Sequence, residues 1–265
     1  MNSRLFIIAN PTHLINVKNY IETHEVCRNY VISTITYFEG YKTFEENVDK
    51  ADKIELLKTF YIDQGKTGFS LYIDILKKMK AINGLSLGNM SFKEVLFTNY
   101  NSWLQNYLVW RSGAPKKILI SDGTAIFDIV EYRKKDLNIP FKGNKFFIKY
   151  ILRLKPIPNL HFYSQVQLEP AAGDSLEVFN FKASNSEKIE QNKIYFVGSP
   201  MVELGYISSE KNLLMLQSLR NDFKQHKIYY FAHRRESDEN LQKYGFLDKI
   251  VRDTIPFEER LTLED

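Results

Sequence analysis

The opening of the chain most narrows what it can fold into. Leu5 to Ala9 is a short apolar run that stops at Asn10-Pro11-Thr12. Leu14, Ile15, Val17 and Ile21 then recur at near-helical spacing. This predicts a buried strand, a tight turn and a helix, with Asn10 or Thr12 near its N-cap. Tyr30 to Tyr37 (YVISTITY) is β-branched and aromatic and reads as a second strand. Strand, helix and strand within about 40 residues make a βαβ unit, since parallel strands need a crossover of a dozen or more residues. An α/β fold on a parallel sheet is therefore expected.

Further along, Thr43 to Lys58 is charged and reads as helix, and Phe69 to Met79 is amphipathic and helical. Ser91 to Val109 carries many aromatics and is read as a helix packed on the sheet. Lys116 to Ile120 is a strand that turns at Ser121-Asp122-Gly123, and Leu160 to Leu168 alternates as another strand. Glu169 to Gln191 is rich in Ala, Gly, Ser, Asn and charge, which marks a linker. The pattern then restarts. Lys193 to Val197 is a strand, Gly198-Ser199-Pro200 a turn and Glu210 to Phe223 a helix. Lys227 to Ala232 is a strand ending at His233-Arg234-Arg235-Glu236, Ser237 to Tyr244 a short helix and Lys249 to Val251 a short strand. Pro256-Phe257-Glu258 opens a last helix. The expectation is two Rossmann-like domains, residues 1–175 and 190–265. The second is small for a complete doubly wound domain and reads as truncated.

Composition supports this and excludes other classes. With 265 residues, one large or two small domains are expected. Nineteen Phe and sixteen Tyr supply ample apolar area, against intrinsic disorder. Cys27 is the only cysteine, against a disulfide scaffold. No apolar run reaches the roughly 18 residues of a membrane span, and the first run is too short for a signal peptide. A cytoplasmic protein is expected. The net charge of +4 is too weak for a dedicated nucleic-acid binder. The excess is local: residues 133–155 hold eight Lys or Arg against one acid, Asp136, with aromatics between them. This reads either as a solvated face or as peripheral contact with the anionic inner face of a membrane.

In doubly wound folds ligands bind beyond the carboxyl ends of the strands, and the polar oddities fall there. Asp122, with Gly123 allowing close approach, suits a general base, unless it is an ordinary Asp-Gly turn. His233, Arg234 and Arg235 can neutralise a phosphate, with Glu236 orienting one of them. Gly198-Ser199-Pro200, after a strand and before a helix, marks a turn whose backbone N–H groups suit a phosphate, without a P-loop's Gly-Lys-Ser/Thr. Asn10, Thr12 and His13 form a loop candidate that has no glycine for a dinucleotide fingerprint. Glu258, at a helix start, suits ribose hydroxyls or simply the helix dipole. The five histidines are scattered without metal-ligand spacing, so no metal is expected.

Taken in order, these segments resemble the bacterial sialyltransferases of the glycosyltransferase family 52 and polysialyltransferase type. Pro11-Thr12-His13-Leu14 stands where that family has a Thr-Pro-x-Gln-Leu turn. Ser121-Asp122-Gly123 corresponds to its acidic-acidic-Gly motif, without the first acid. Gly198-Ser199-Pro200-Met201-Val202-Glu203 matches Gly-x-Pro, a hydrophobic residue and Glu. His233-Arg234-Arg235-Glu236 stands for His-Pro followed by Arg-Glu, with Pro replaced, and Pro256-Phe257-Glu258 for Pro-x-Glu. A later Ser-Ser or Ser-Thr pair has no counterpart before Asp265.

The resemblance implies a GT-B architecture, with an N-terminal acceptor-side domain and a C-terminal nucleotide-sugar-binding domain. It implies an inverting, metal-independent transfer of sialic acid, or a related sugar, from a CMP-activated donor to a lipooligosaccharide or capsule-like glycan. The CMP-sugar is then a substrate, and no cofactor is needed. Asp122 becomes the base and His233 the aid to phosphate departure. Arg234 and Arg235 add charge, and Glu258 binds the ribose. Two alternatives stand beside this. His233-Arg234-Arg235-Glu236-Ser237 also resembles UDP-N-acetylglucosamine 2-epimerases, although their Gly-Thr-Arg-Pro-Glu opening is absent. The altered motifs are also compatible with an inactive binding module.

Overall fold

The structure is a computed structural model that describes residues 3–36, 41–63, 65–121, 125–135, 146–179, 192–233 and 235–252. It divides into two compact units, Met1–Phe181 and Lys182–Asp265.

In the first unit the elements run β1 (Ser3–Ile8), α1 (Pro11–Thr23), β2 (Arg28–Thr36), α2 (Tyr41–Asp49), β3 (Ile54–Ile62) and α3 (Gly68–Gly84). A short 3₁₀ turn, Leu87–Met90, leads to β4 (Phe92–Phe97), α4 (Trp103–Ser112), β5 (Lys116–Ile120), α5 (Ala125–Lys135), α6 (Phe146–Ile151), β6 (His161–Ser164) and β7 (Ser175–Val178). The seven strands form one sheet in the order β3-β2-β1-β4-β5-β6-β7, and every pairing is parallel. β1 lies between β2 and β4, with Leu5 opposite Tyr30 on one side and Val95 on the other.

Both faces of this sheet are covered, which is why β1 is apolar throughout instead of alternating. Leu5 and Ile7 enter the core that contains Ile75, Leu104, Leu108 and Ile129. Phe6 and Ile8 enter the opposite core, with Leu14, Val17 and Tyr20 of α1. The turn into α1 follows from its residues. Asn10 is extended and its side chain accepts a hydrogen bond from the His13 amide, while Pro11 takes the first helical position, where a missing N–H costs nothing.

Three expectations are corrected. The helix read over 43–58 ends at Asp49, and Ile54–Ile62 is an edge strand paired with β2. Glu55 and Lys58 mimic helix polarity, but on an edge strand such residues face solvent and guard the open side. The helix read over 91–109 is two elements. Phe92–Phe97 is buried strand, and α4 begins only after Ser102, whose hydroxyl accepts from the Gln105 amide. The polar stretch 169–191 contains β7, paired with β6, so the sheet gains a seventh strand where a linker was expected.

Arg133 is also not where its charge suggested. It belongs to α5 with its side chain fully buried, and its guanidinium holds both carboxylate oxygens of Asp174 at 2.7 Å. It donates further to the Tyr100 hydroxyl and the Ile157 carbonyl, each at 2.9 Å, while Asp174 accepts from the Leu160 amide. Lys134 pairs with Glu131. Arg133 is thus removed from the basic stretch 133–155, of which residues 136–145 lie outside the described residues.

The second unit comprises β8 (Lys193–Val197), α7 (Ser209–Asp222), β9 (Lys227–Phe231), α8 (Asp238–Gln242) and β10 (Lys249–Val251), with a parallel sheet ordered β10-β9-β8. Its core is Leu216, Ile228, Tyr230, Leu241, Tyr244 and Leu247. Among the described residues, no helix is long and apolar enough to cross a membrane.

The Arg133–Asp174 pair yields a stability prediction. Asp174→Ala leaves a guanidinium buried without its counter-charge, and is expected to cost about 3–5 kcal/mol. Urea unfolding of the purified chain measures it, and an unchanged midpoint would show that the pair is not needed.

Candidate functional site

The strand order reverses at β1, whose neighbours are β2 and β4. In a doubly wound sheet the crevice beyond the carboxyl ends of the strands at that point is where ligands bind. The residues that reach it follow Ile8, Phe97 and Ile120.

A buried polar frame shapes this edge. Gln105 of α4 accepts from the amides of Thr98 and Asn99, at 3.0 and 2.8 Å, and its Nε2 donates to the Thr34 hydroxyl at 3.0 Å. Thr34 in turn donates to the Ile8 carbonyl at 3.0 Å. The ends of β1, β2 and β4 are thereby tied together, and the Asn99–Asn101 loop stands over them, with Asn99 exposed. Sequence reasoning missed Gln105. The only signal was a cluster of polar residues, Thr34, Thr98 and Gln105, inside apolar segments.

Asn10 and Thr12 are half-buried at this edge. His13 is 1% exposed. Its Nδ1 accepts from the Ala9 amide at 3.0 Å, and its own amide donates to the Asn10 side chain at 3.0 Å. The ring therefore helps to build the turn from β1 into α1. Ser121 continues β5, donating its amide to the Tyr163 carbonyl at 2.8 Å. Asp122 and Gly123 lie outside the described residues, as do Arg234 and Glu258.

In the second unit, two of the sequence motifs meet. The Gly198 amide donates to the Phe231 carbonyl at 2.8 Å, which sets the Gly198-Ser199-Pro200 turn against the end of β9. A Cβ on Gly198 would lie 2.4 Å from Glu236 Oε2 and 2.7 Å from the Tyr230 hydroxyl, so only glycine fits there. Ser199 is exposed while Gly198 and Pro200 are buried.

Glu236 is buried beneath the loop. Its carboxylate accepts from the Tyr230 hydroxyl and from the His233 amide, each at 2.6 Å. Among the described residues, Glu236 thus holds the His233 backbone; Arg234, a possible side-chain partner in the sequence reading, lies outside the described residues. Burial raises the Glu236 carboxyl above the usual carboxylate range, although the Tyr230 hydroxyl and His233 amide pull the other way. Burial also raises the Tyr230 phenol, and the adjacent Glu236 adds to the effect.

The half-buried His233 accepts the Arg235 amide at Nδ1, 3.1 Å away. In the neutral ring this leaves the proton on Nε2, which makes Nε2 a donor. Arg235 is exposed. Glu203 closes the frame: its Oε1 accepts from the Ser237 amide at 2.8 Å and the Asn240 side chain at 2.9 Å. Burial raises the Glu203 carboxyl, but these donors outweigh it and hold it below its ordinary range. The two glutamates pin the His233–Ser237 loop from two sides and join it to the Gly198 turn. Among the described residues, no group of three His, Cys, Asp or Glu side chains is placed to hold a metal ion.

Gly198→Ala is expected to displace the His233–Ser237 loop and to lower the melting temperature, because Glu236 and Tyr230 are themselves buried and have no room to retreat. Because the Glu236 carboxyl is raised in the folded state, its ionised form is disfavoured there. Its contribution is therefore complete at acid pH, below the ordinary carboxylate range, and is lost as pH rises through the raised value. A Glu236→Gln variant should flatten that part of the stability-versus-pH curve, and an unchanged slope in thermal melts would contradict it.

No protein-family model matches the chain, and no curated protein matches it in sequence. The solved structures that match in fold include the following two. One is a UDP-glucosyltransferase from Polygonum tinctorium that glucosylates indoxyl, with a TM-score of 0.53, 10% identity, and coverage of 96% of this chain and 73% of that one. The other is Phytolacca americana UGT2 with UDP-2-fluoro-glucose and pterostilbene, with a TM-score of 0.51, 12% identity, and coverage of 96% and 72%. At such identities the likeness is one of fold, and it gives this chain an α/β architecture of the GT-B type.

Proposed function

We propose that this protein is a nucleotide-sugar-dependent glycosyltransferase of sialyltransferase-like type. The observation that carries the reading is the pinned loop of the second unit. Gly198 and His233 meet at adjacent strand ends, on a frame of the buried Glu236 and the exposed Glu203 that fixes the backbone and leaves His233 Nε2 as a proton donor. The GT-B-type fold supports the same class.

In this reading, residues 1–175 carry the acceptor and residues 190–265 the donor. The turn after β8 receives the phosphate, His233 offers it the Nε2 proton and Arg235 positive charge, and Arg234 and Glu258 add charge and ribose contacts. The acceptor hydroxyl gives its proton to Asp122 and attacks the anomeric carbon. The bond from that carbon to the phosphate oxygen breaks, and CMP departs with a hydrogen bond or proton from His233. A single displacement inverts the anomeric centre. The donor is CMP-sialic acid and the acceptor a lipooligosaccharide or capsule-like glycan, at the cytoplasmic face of the inner membrane.

A second reading of the donor has an observation behind it, because both fold neighbours are UDP-glucosyltransferases. Calorimetry separates the two. Binding of CMP without UDP is expected, and tight UDP binding without CMP would move the donor to a UDP-sugar. A protein that binds CMP but neither transfers nor hydrolyses the donor would be a binding module.

Asp122→Asn is expected to lose at least ~10²-fold in turnover with its melting temperature kept, the usual scale for a general base. His233→Ala should lose a similar factor, and less with a donor carrying a better leaving group. Unchanged turnover in either variant removes that residue from the mechanism.

A further inference from the structure

Helix α3 has two apolar stripes but only one core to fill. Leu71, Ile75, Met79 and Ile82 recur along the face that packs into the sheet's core. Phe69, Tyr72, Ile73 and Leu76 recur at i, i+3, i+4 and i+7 on a second face, and they are 77%, 42%, 38% and 43% exposed. The second stripe continues into Lys77 and Lys80, both exposed. The helix has one acid, Asp74, and it is engaged by Lys66 and Lys78. The outward face is therefore apolar over its first turns and cationic over its last.

The topology gives this face a place. β3 runs parallel with β1 and β4, so its end at Ile62 lies at the same edge of the sheet as the crevice. Six residues later α3 begins at Gly68, with Phe69 in its first turn. The apolar half of the stripe thus sits toward that edge.

We propose that this face of α3 docks on an anionic phospholipid surface, with Phe69, Tyr72, Ile73 and Leu76 entering the interfacial layer and Lys77 and Lys80 meeting lipid phosphates. A helix that lies in a bilayer interface has this pattern of aromatic and aliphatic side chains bordered by lysines whose stems reach along the apolar surface. Charge complementarity favours lipid over a second copy of the chain, because α3 of a second copy offers Lys77 and Lys80 no acid: its one acid, Asp74, is engaged by Lys66 and Lys78. Size points the same way. The four side chains expose roughly 400 Å², about half of what each partner buries in a standard protein interface. This assigns the contact to α3 instead of the stretch 133–155. Docking does not depend on the transferase reading. Only its purpose does, which is to present the sheet edge to an acceptor carried in the membrane.

Co-sedimentation of the full chain with mixed phosphatidylglycerol–phosphatidylcholine vesicles, against phosphatidylcholine alone, tests this without an activity assay. The chain should partition onto the anionic vesicles at low salt and release as salt rises. Phe69→Ser with Leu76→Ser should weaken partition by about tenfold or more, with the melting temperature kept because both side chains are exposed. Lys77→Glu with Lys80→Glu should abolish the preference for anionic lipid, whereas Lys134→Glu with Lys135→Glu should leave most binding intact. The proposal is overturned if the native chain stays in the supernatant at low salt, or if the α3 variants bind like it. It is equally overturned if the Lys134/Lys135 variant alone loses binding, or if sedimentation equilibrium shows a dimer that Phe69→Ser dissociates. Vesicle binding with no transfer of any sugar would leave this proposal standing and remove the transferase reading.

Discussion

The parallel registration of β1 between β2 and β4 governs the first unit. A strand with both edges hydrogen-bonded and both faces buried has no solvent-facing side, so its neighbours must supply all of its contacts. Parallel pairing also forces every connection to cross over the sheet, which lays helices on both faces and gathers the carboxyl ends of the strands along one edge. The turn into α1, the Asn99–Asn101 loop and Ser121 stand together for that reason.

The loops at the strand ends are held by polar side chains directed at backbone. Gln105 grips two amides of the β4–α4 loop, Glu236 grips the His233 amide of the β9–α8 loop, and the exposed Glu203 grips the Ser237 amide. Amides in such loops have no ladder partner, and leaving them buried and unmade costs about 1–3 kcal/mol each. A side chain that supplies the missing acceptor both removes that cost and fixes the loop's shape. The charged acceptors bind more strongly than neutral ones, which suits Glu236 and Glu203 to a loop that carries a histidine at its start.

Much of the fold could be read from the residues, and where it could not the cause is specific. β1, α1, β2, β5, α7 and β9 announced themselves because periodicity, caps and turn residues agreed. Phe92–Phe97 did not, since a strand buried on both faces has no alternation and runs without a break into an aromatic helix. Ile54–Ile62 was concealed by Glu55 and Lys58, and β7 by the small polar residues around it. Of the candidate site, the polar strand ends were visible as residue types, but their roles were not. His13 reads as a loop candidate in the chain and is a buried part of the turn. Glu236 reads as a partner for a side chain, and its hold on the His233 amide could not be read from residue type. Such roles depend on contacts distant in sequence, as when the space a side chain would need at Gly198 is filled by Tyr230 of the next strand and Glu236 of the loop after it. Asp122 and Glu258 carry weight in the proposal through the resemblance alone.

The cores of the two units are very unequal. Among the described residues, the first unit buries apolar side chains in two large clusters, whereas the second closes around six. Burial scales steeply with domain size, so the smaller unit has little cooperative reserve of its own. The chain should not be treated as one all-or-none folding system. A heating curve would superpose a weak early endotherm from the second unit on a later, stronger one, and a single fitted midpoint would describe neither.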